Sequence, residues 1–138
     1  MRGRSMEAEF DPNQPIYLQI MQRLCSQILR GDYAPGDKLP SLVDAGLQFN
    51  VNHNTIARVY MELARQRIVE AKRGEGTFVT EDRSVLEALH HSMRDSLMEN
   101  IFTEMDRLGY STEEMNASFQ EYIRRKSQTA NLPKENHS

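Results

Sequence analysis

The chain has 138 residues, 38% hydrophobic and 27% charged, with a net charge of −3, which suits one compact domain or two small modules. No apolar run is long enough to cross a bilayer and the N-terminus has no apolar signal stretch, so a cytoplasmic location is expected and a membrane partner is not. One cysteine, Cys25, excludes an internal disulfide, and no Cys/His cluster has zinc-ligand spacing, so no metal or cofactor is expected.

Residues 1–14 are polar, carry no periodic apolar pattern and read as a flexible arm. From Pro15 the pattern changes. Ile16, Ile20, Leu24, Ile28 and Leu29 recur at helical spacing, predicting a first helix over about 16–30 that ends at Gly31 in a left-handed conformation. Cys25 on that helix reads as a small core residue, with a redox-sensing thiol as the other reading. Tyr33 to Pro40 is a turn followed by a short extended piece. Ser41, with Asp44 three residues on, predicts the capped start of a second helix over about 42–49. Small residues there, Ala45 and Gly46, permit another helix to approach closely.

Asn50-Val-Asn52 is a tight turn, and Asn52 caps a third helix reaching about Gln66. Ile56, Val59, Tyr60 and Leu63 form its inner stripe. His53, Asn54, Thr55, Arg58, Glu62 and Arg65 lie outside it. Tyr60 reads as core, with its hydroxyl at a phosphate-facing edge. Two β-prone runs, 68–72 and 77–80, flank Arg73-Gly-Glu-Gly76, whose glycines supply the positive φ a tight hairpin needs.

Asp82 or Ser84 caps a long fourth helix, where Leu86, Leu89, Met93, Leu97, Ile101, Met105 and Leu108 recur at three- and four-residue steps until Gly109. Ser111 and Glu114 make a second capping box, and Met115, Phe119, Tyr122 and Ile123 give helix five its apolar face. Residues 128–138 read as a disordered tail. The fold class is therefore mainly α with a small β-hairpin: a winged helix-turn-helix over 15–80 and a C-terminal helical hairpin over 81–127. A two-helix hairpin cannot bury so wide an apolar face alone, so it must cover its own winged domain, a partner subunit or both; both are expected, with Leu89, Met93, Leu97, Ile101, Met105, Met115, Phe119 and Tyr122 serving homodimerisation.

Three helices and a hairpin, with a short turn between helices two and three, suit duplex DNA. A helix fits the major groove and reaches base edges with its N-terminal residues. Here those are Asn52, His53, Asn54 and Thr55, followed one turn on by Arg58. The wing tip brings Lys72 and Arg73 between little bulk at Gly74 and Gly76, so its backbone can approach a phosphate or a minor groove. Ser41 and Thr77 complete the expected contact set. Residues 1–80 hold 10 Lys/Arg and 9 Asp/Glu, whereas residues 81–138 hold 7 and 11. The acidity thus sits in the C-terminal part, which leaves the N-terminal part able to present a positive face.

Leu39-Pro-Ser41, Val51-Asn-His-Asn-Thr-Ile-Ala-Arg-Val-Tyr60 and Arg73-Gly-Glu-Gly-Thr-Phe-Val79, in this order and spacing, resemble the hallmarks of GntR-family repressors. The Pro15 to Ile20 opening and the Gly31 to Pro40 turn match as well. The short two-helix tail is similar to the YtrA subfamily. The resemblance implies a homodimeric repressor on a pseudo-palindromic operator, often controlling transporter operons, with a small-molecule effector of unknown identity as a further partner. Two positions depart from the family pattern. The family usually has an arginine that contacts DNA two residues after the Leu-Pro-Ser serine, where this chain has Val43. The wing position between the glycines, often basic, small or polar, is Glu75. Together they favour a different operator or a weaker phosphate grip.

Other readings of the same residues are less economical. Adjacent His90 and His91 diverge by about 100° on a helix and do not chelate one metal as a pair. Gly74-Glu-Gly-Thr77 lacks the Gly-Lys-Ser/Thr ending of a phosphate loop. Met93, Met98, Met105 and Met115 read as adaptable packing, or as the lining of a small pocket at a dimer seam. No nucleophile, base or carboxylate pair is placed for catalysis, so an enzyme is not expected. Val43, Glu75 and the net negative charge motivate one rival, a winged-helix protein-interaction module with weak or no DNA binding.

Overall fold

A computed structural model describes residues 10–134, so residues 1–9 of the expected arm and 135–138 of the expected tail lie outside the described residues. The elements run α1 (Ile16–Arg30), α2 (Leu42–Phe49), α3 (His53–Arg65), β1 (Val69–Lys72), β2 (Gly76–Val79), α4 (Arg83–Arg107) and α5 (Thr112–Lys134). The chain divides into two compact units between His91 and Ser92, both within α4.

Local chemistry sets most element boundaries of the first unit. Gly31, at φ 99°, ends α1 and donates its amide to the Ile28 carbonyl at 3.1 Å. Ser41 Oγ accepts the Asp44 amide at 3.1 Å and starts α2. Asn50 stops α2 in the left-handed region, φ 60°, which Asn tolerates because its short amide bonds locally. Gly46 is needed for space: a Cβ there would lie 2.9 Å from the Val51 carbonyl oxygen. The α2–α3 turn is therefore seated on a bare backbone, and the two helices pack closely.

The core of this unit draws on α1, α2, α3 and both strands of the wing. Ile20, Leu24 and Ile28 of α1, Ala45 and Phe49 of α2, and Ile56, Val59, Tyr60 and Leu63 of α3 are buried, with Ile68, Val69 and Val79 from the base of the wing. β1 and β2 pair antiparallel, with Val69 opposite Val79 and Lys72 opposite Gly76. The segment before α2 adds a third edge that the sequence reading left unpaired. Leu39 donates its amide to Thr77 at 2.8 Å, Val79 to Asp37 at 2.8 Å and Gly36 to Val79 at 2.9 Å. The wing is thereby tied back to the helices. Arg67 links α3 to β1 at φ 68°, a left-handed step that no Gly or Asn announces.

Residues 10–14, read from sequence as arm, are held on α1. Gln19 Oε1 accepts the Asp11 amide at 2.7 Å, while its Nε2 donates to the carbonyls of Asp11 and Gln14. The Arg23 guanidinium lies 4.2 Å from the Phe10 ring centre.

In the second unit, Ser111 and Glu114 form the expected reciprocal capping box. Ser111 Oγ accepts the Glu114 amide at 3.1 Å, and Glu114 Oε1 accepts the Ser111 amide at 2.8 Å. Upstream, Asp82 Oδ1 accepts the Ser84 amide at 3.0 Å and begins α4. α5 continues to Lys134 rather than stopping near residue 127. Ion pairs from Glu121 to Arg124 and Arg125 help to carry it onward.

Candidate nucleic-acid interface

The first turn of α3 projects into solvent. Asn52, His53 and Asn54 are exposed and Thr55 is half-buried. The turn owes its position to the Gly46 contact on one side and to the buried Ile56 and Val59 on the other. Asn52 is partly committed: its Oδ1 accepts the Asn54 amide at 2.7 Å, which leaves its NH2 and the second lone pair of Oδ1 to address DNA. Ser41, also exposed, uses its oxygen as an acceptor for α2 in the same way and retains its hydroxyl hydrogen as a donor.

Arg58 is exposed, as its place outside the stripe requires, and its guanidinium lies 3.6 Å from the centre of the Tyr17 ring. Tyr17 of α1 was not among the expected site residues. It acts as a platform that restrains the Arg58 side chain before any ligand arrives. The two are far apart in sequence, so no local pattern links them. One turn on, Glu62 is paired with Arg65. Hydrogen bonds from Arg65, and then from Gln66, hold the Glu62 carboxyl at about 2. It therefore stays anionic on the outer side of α3.

Tyr60 corrects one expectation. Its hydroxyl does not sit at a phosphate-facing edge but donates to the Pro40 carbonyl at 2.8 Å. Burial, then the neighbouring Tyr33, pushes its ionisation well above the usual phenol range. Its work is to join α3 to the segment ahead of α2.

At the wing, Gly74 and Gly76 adopt φ of 76° and 127°. Lys72, Arg73, Gly74, Glu75 and Gly76 are exposed and Thr77 is half-buried. The Lys72 ammonium lies 4.7 Å from the Phe78 ring centre. Lys38 joins this group from outside the expected set. It bridges to Phe78 across the third edge, and its Cε would lie 2.7 Å from a Cβ on Gly76. Three cations, Lys38, Lys72 and Arg73, thus surround a turn that carries one anion, Glu75. Nothing in the local sequence marks Lys38, because its proximity comes from strand pairing.

The expected dimerisation residues divide differently. Leu89 belongs to the first unit and is half-buried. In the second unit Met93, Met105 and Met115 are half-buried, while Leu97, Ile101, Phe119 and Tyr122 are exposed. Ile101, Phe102, Met105, Met115 and Phe119 line a shallow apolar depression between α4 and α5. Cys25 is buried, and burial raises its thiol to about 11, so it is a packed core group and a poor redox sensor. No helix among the described residues is long and apolar enough to cross a membrane.

An exposed polar helix start and a glycine-bounded cationic β-turn, both fixed to one core, define a winged helix-turn-helix DNA-binding protein. The chain belongs to the GntR family: residues 16–79 match the family described as bacterial regulatory proteins, gntR family. The HTH-type transcriptional regulator YhcF of Bacillus subtilis is 39% identical over 110 residues, spanning 80% of this chain and 91% of that protein. The HTH-type transcriptional repressor YtrA of the same organism is 41% identical over 76 residues, 54% of this chain and 58% of its own. A GntR family transcriptional regulator from Listeria monocytogenes has a similar structure, with a TM-score of 0.77 at 37% identity, covering 81% of this chain and 98% of that one. The present chain is accordingly a DNA-binding transcriptional regulator.

Proposed function

We propose that the protein is a homodimeric, cytoplasmic repressor that occupies a pseudo-palindromic operator, each protomer placing the start of α3 in a major groove. The observation that supports this most directly is the exposure of His53 and Asn54 at the start of α3, alongside the cationic turn around Gly74 and Gly76. In this reading Ser41, Asn52, Arg58, Lys38, Lys72 and Arg73 address phosphates, while His53, Asn54 and Thr55 face base edges. Two half-sites need two protomers. The exposed Leu97, Ile101, Phe119 and Tyr122 support α4 and α5 as the surface that joins them. Carried by the family resemblance alone, the target is a transporter operon and a small molecule is the inducer. The reading assigns no catalytic step.

Footprinting the promoter of the protein's own operon tests it. A protected inverted repeat is expected. Replacing Arg73 by Ala should weaken binding about uniformly across sequences and lower the slope of log K against log salt by about one. Absence of any protected repeat at low salt would overturn the reading and favour an interaction module that merely uses a winged-helix scaffold.

A further inference from the structure

We propose that Val43 and Leu47 form an apolar surface that reads a thymine C5-methyl group in each operator half-site. The proposal rests on the DNA-binding reading above. The two residues are one turn apart on α2, so their side chains share a face. That face points away from the core: Val43 is 59% exposed and Leu47 76%, while Ala45 and Phe49 on the other side are buried. An isolated exposed Leu needs no explanation. This pair lies elsewhere than on an arbitrary surface, because Val43 and Leu47 border one surface depression together with Gly46, Val51, Asn52 and His53. The apolar patch is continuous with the exposed polar start of α3.

That continuity selects the occupant. A duplex lying against His53 and Asn52 also meets Val43. Phosphates, and the donor and acceptor groups of base edges, gain nothing from two aliphatic side chains. The thymine C5-methyl is the apolar group that a major groove displays. An arginine at position 43 would favour a phosphate or a guanine, whereas Val43 neither donates nor accepts. Its preference is therefore for a methyl-bearing base beside the position contacted by His53.

The test uses the full-length chain and the tightest duplex selected from a random-sequence pool, with each thymine replaced in turn by deoxyuridine, which lacks only the methyl. Burying one methyl corresponds to about fourfold in affinity. One thymine in each half-site should lose about fourfold when replaced singly, and about fifteenfold when both are replaced together. The Val43→Ala, Leu47→Ala double variant should bind thymine and deoxyuridine duplexes equally, while Val43→Ile should keep the discrimination. Both positions are exposed, so thermal unfolding of the variants should match the parent and exclude misfolding as the cause. Indifference to deoxyuridine at every position would overturn the proposal and leave the patch to a protein partner. So would a double variant that still discriminates. If the parent binds no selected duplex even at low salt, the DNA-binding reading itself fails and the methyl contact falls with it.

Discussion

The winged unit buries 14 apolar side chains between Ile20 and Val79, whereas the α4–α5 hairpin contributes none to that buried set among the described residues. Both regions are rich in apolar residues at helical spacing. They differ in whether a second layer exists to cover them. In the winged unit α1 and the base of the wing close over the inner stripe of α3. In the hairpin Leu97, Ile101, Phe119 and Tyr122 stay exposed. The lesson is that amphipathic spacing predicts a helix and its sticky face, while burial requires a partner surface. The winged unit carries its own, whereas the hairpin leaves that face exposed.

Truncation inside the winged core should have the largest effect. Leu63 is fully buried, and Leu63→Ala is expected to cost about 2–5 kcal/mol in denaturant unfolding. Leu97→Ala, at a site 64% exposed, should change the unfolding of the winged unit little. Equal costs at the two sites would erase the contrast.

Charging the hairpin comes next. Ile101→Asp with Phe119→Asp should convert a dimer to a monomer in sedimentation at micromolar concentration, leave the winged unit folded, and weaken operator binding by at least about tenfold, or roughly 1.4 kcal/mol. A parent protein that sediments as a monomer would remove the argument for a covered hairpin.

Within the wing, Gly76→Ala should destabilise by about 1–2 kcal/mol, since a side chain there has unfavourable φ and meets Lys38. Gly74→Ala has open space and carries only the backbone penalty, so thermal unfolding should rank it the milder of the two.

The smallest effect is the pH response of α3. Glu62 titrates at about 2 in the folded chain against an ordinary 4.5. Its lowered value means that the stabilisation is present at neutral pH and is lost as pH falls from about 4.5 towards 2. Glu62→Gln should flatten the acid limb of stability in that window only slightly, because the pair is exposed and screened.

Much of the architecture was legible beforehand because it is made of local chemistry. Gly31 ends a helix by its φ, Ser41 and Asn52 cap the next two with their own side chains, and Ser111 with Glu114 closes a box within four residues. Each of these interactions spans a few residues, so composition and spacing suffice to announce it. Solvent exposure of the α3 start also followed, since His53 and Asn54 lie outside a regular inner stripe. What emerged only on folding joins residues distant along the chain. Arg58 rests on Tyr17, Tyr60 donates to Pro40, and Lys38 reaches the wing by pairing with Phe78. Their partners are chosen by how helices and strands stack, and stacking depends on the closure of the whole core, which no window of sequence contains.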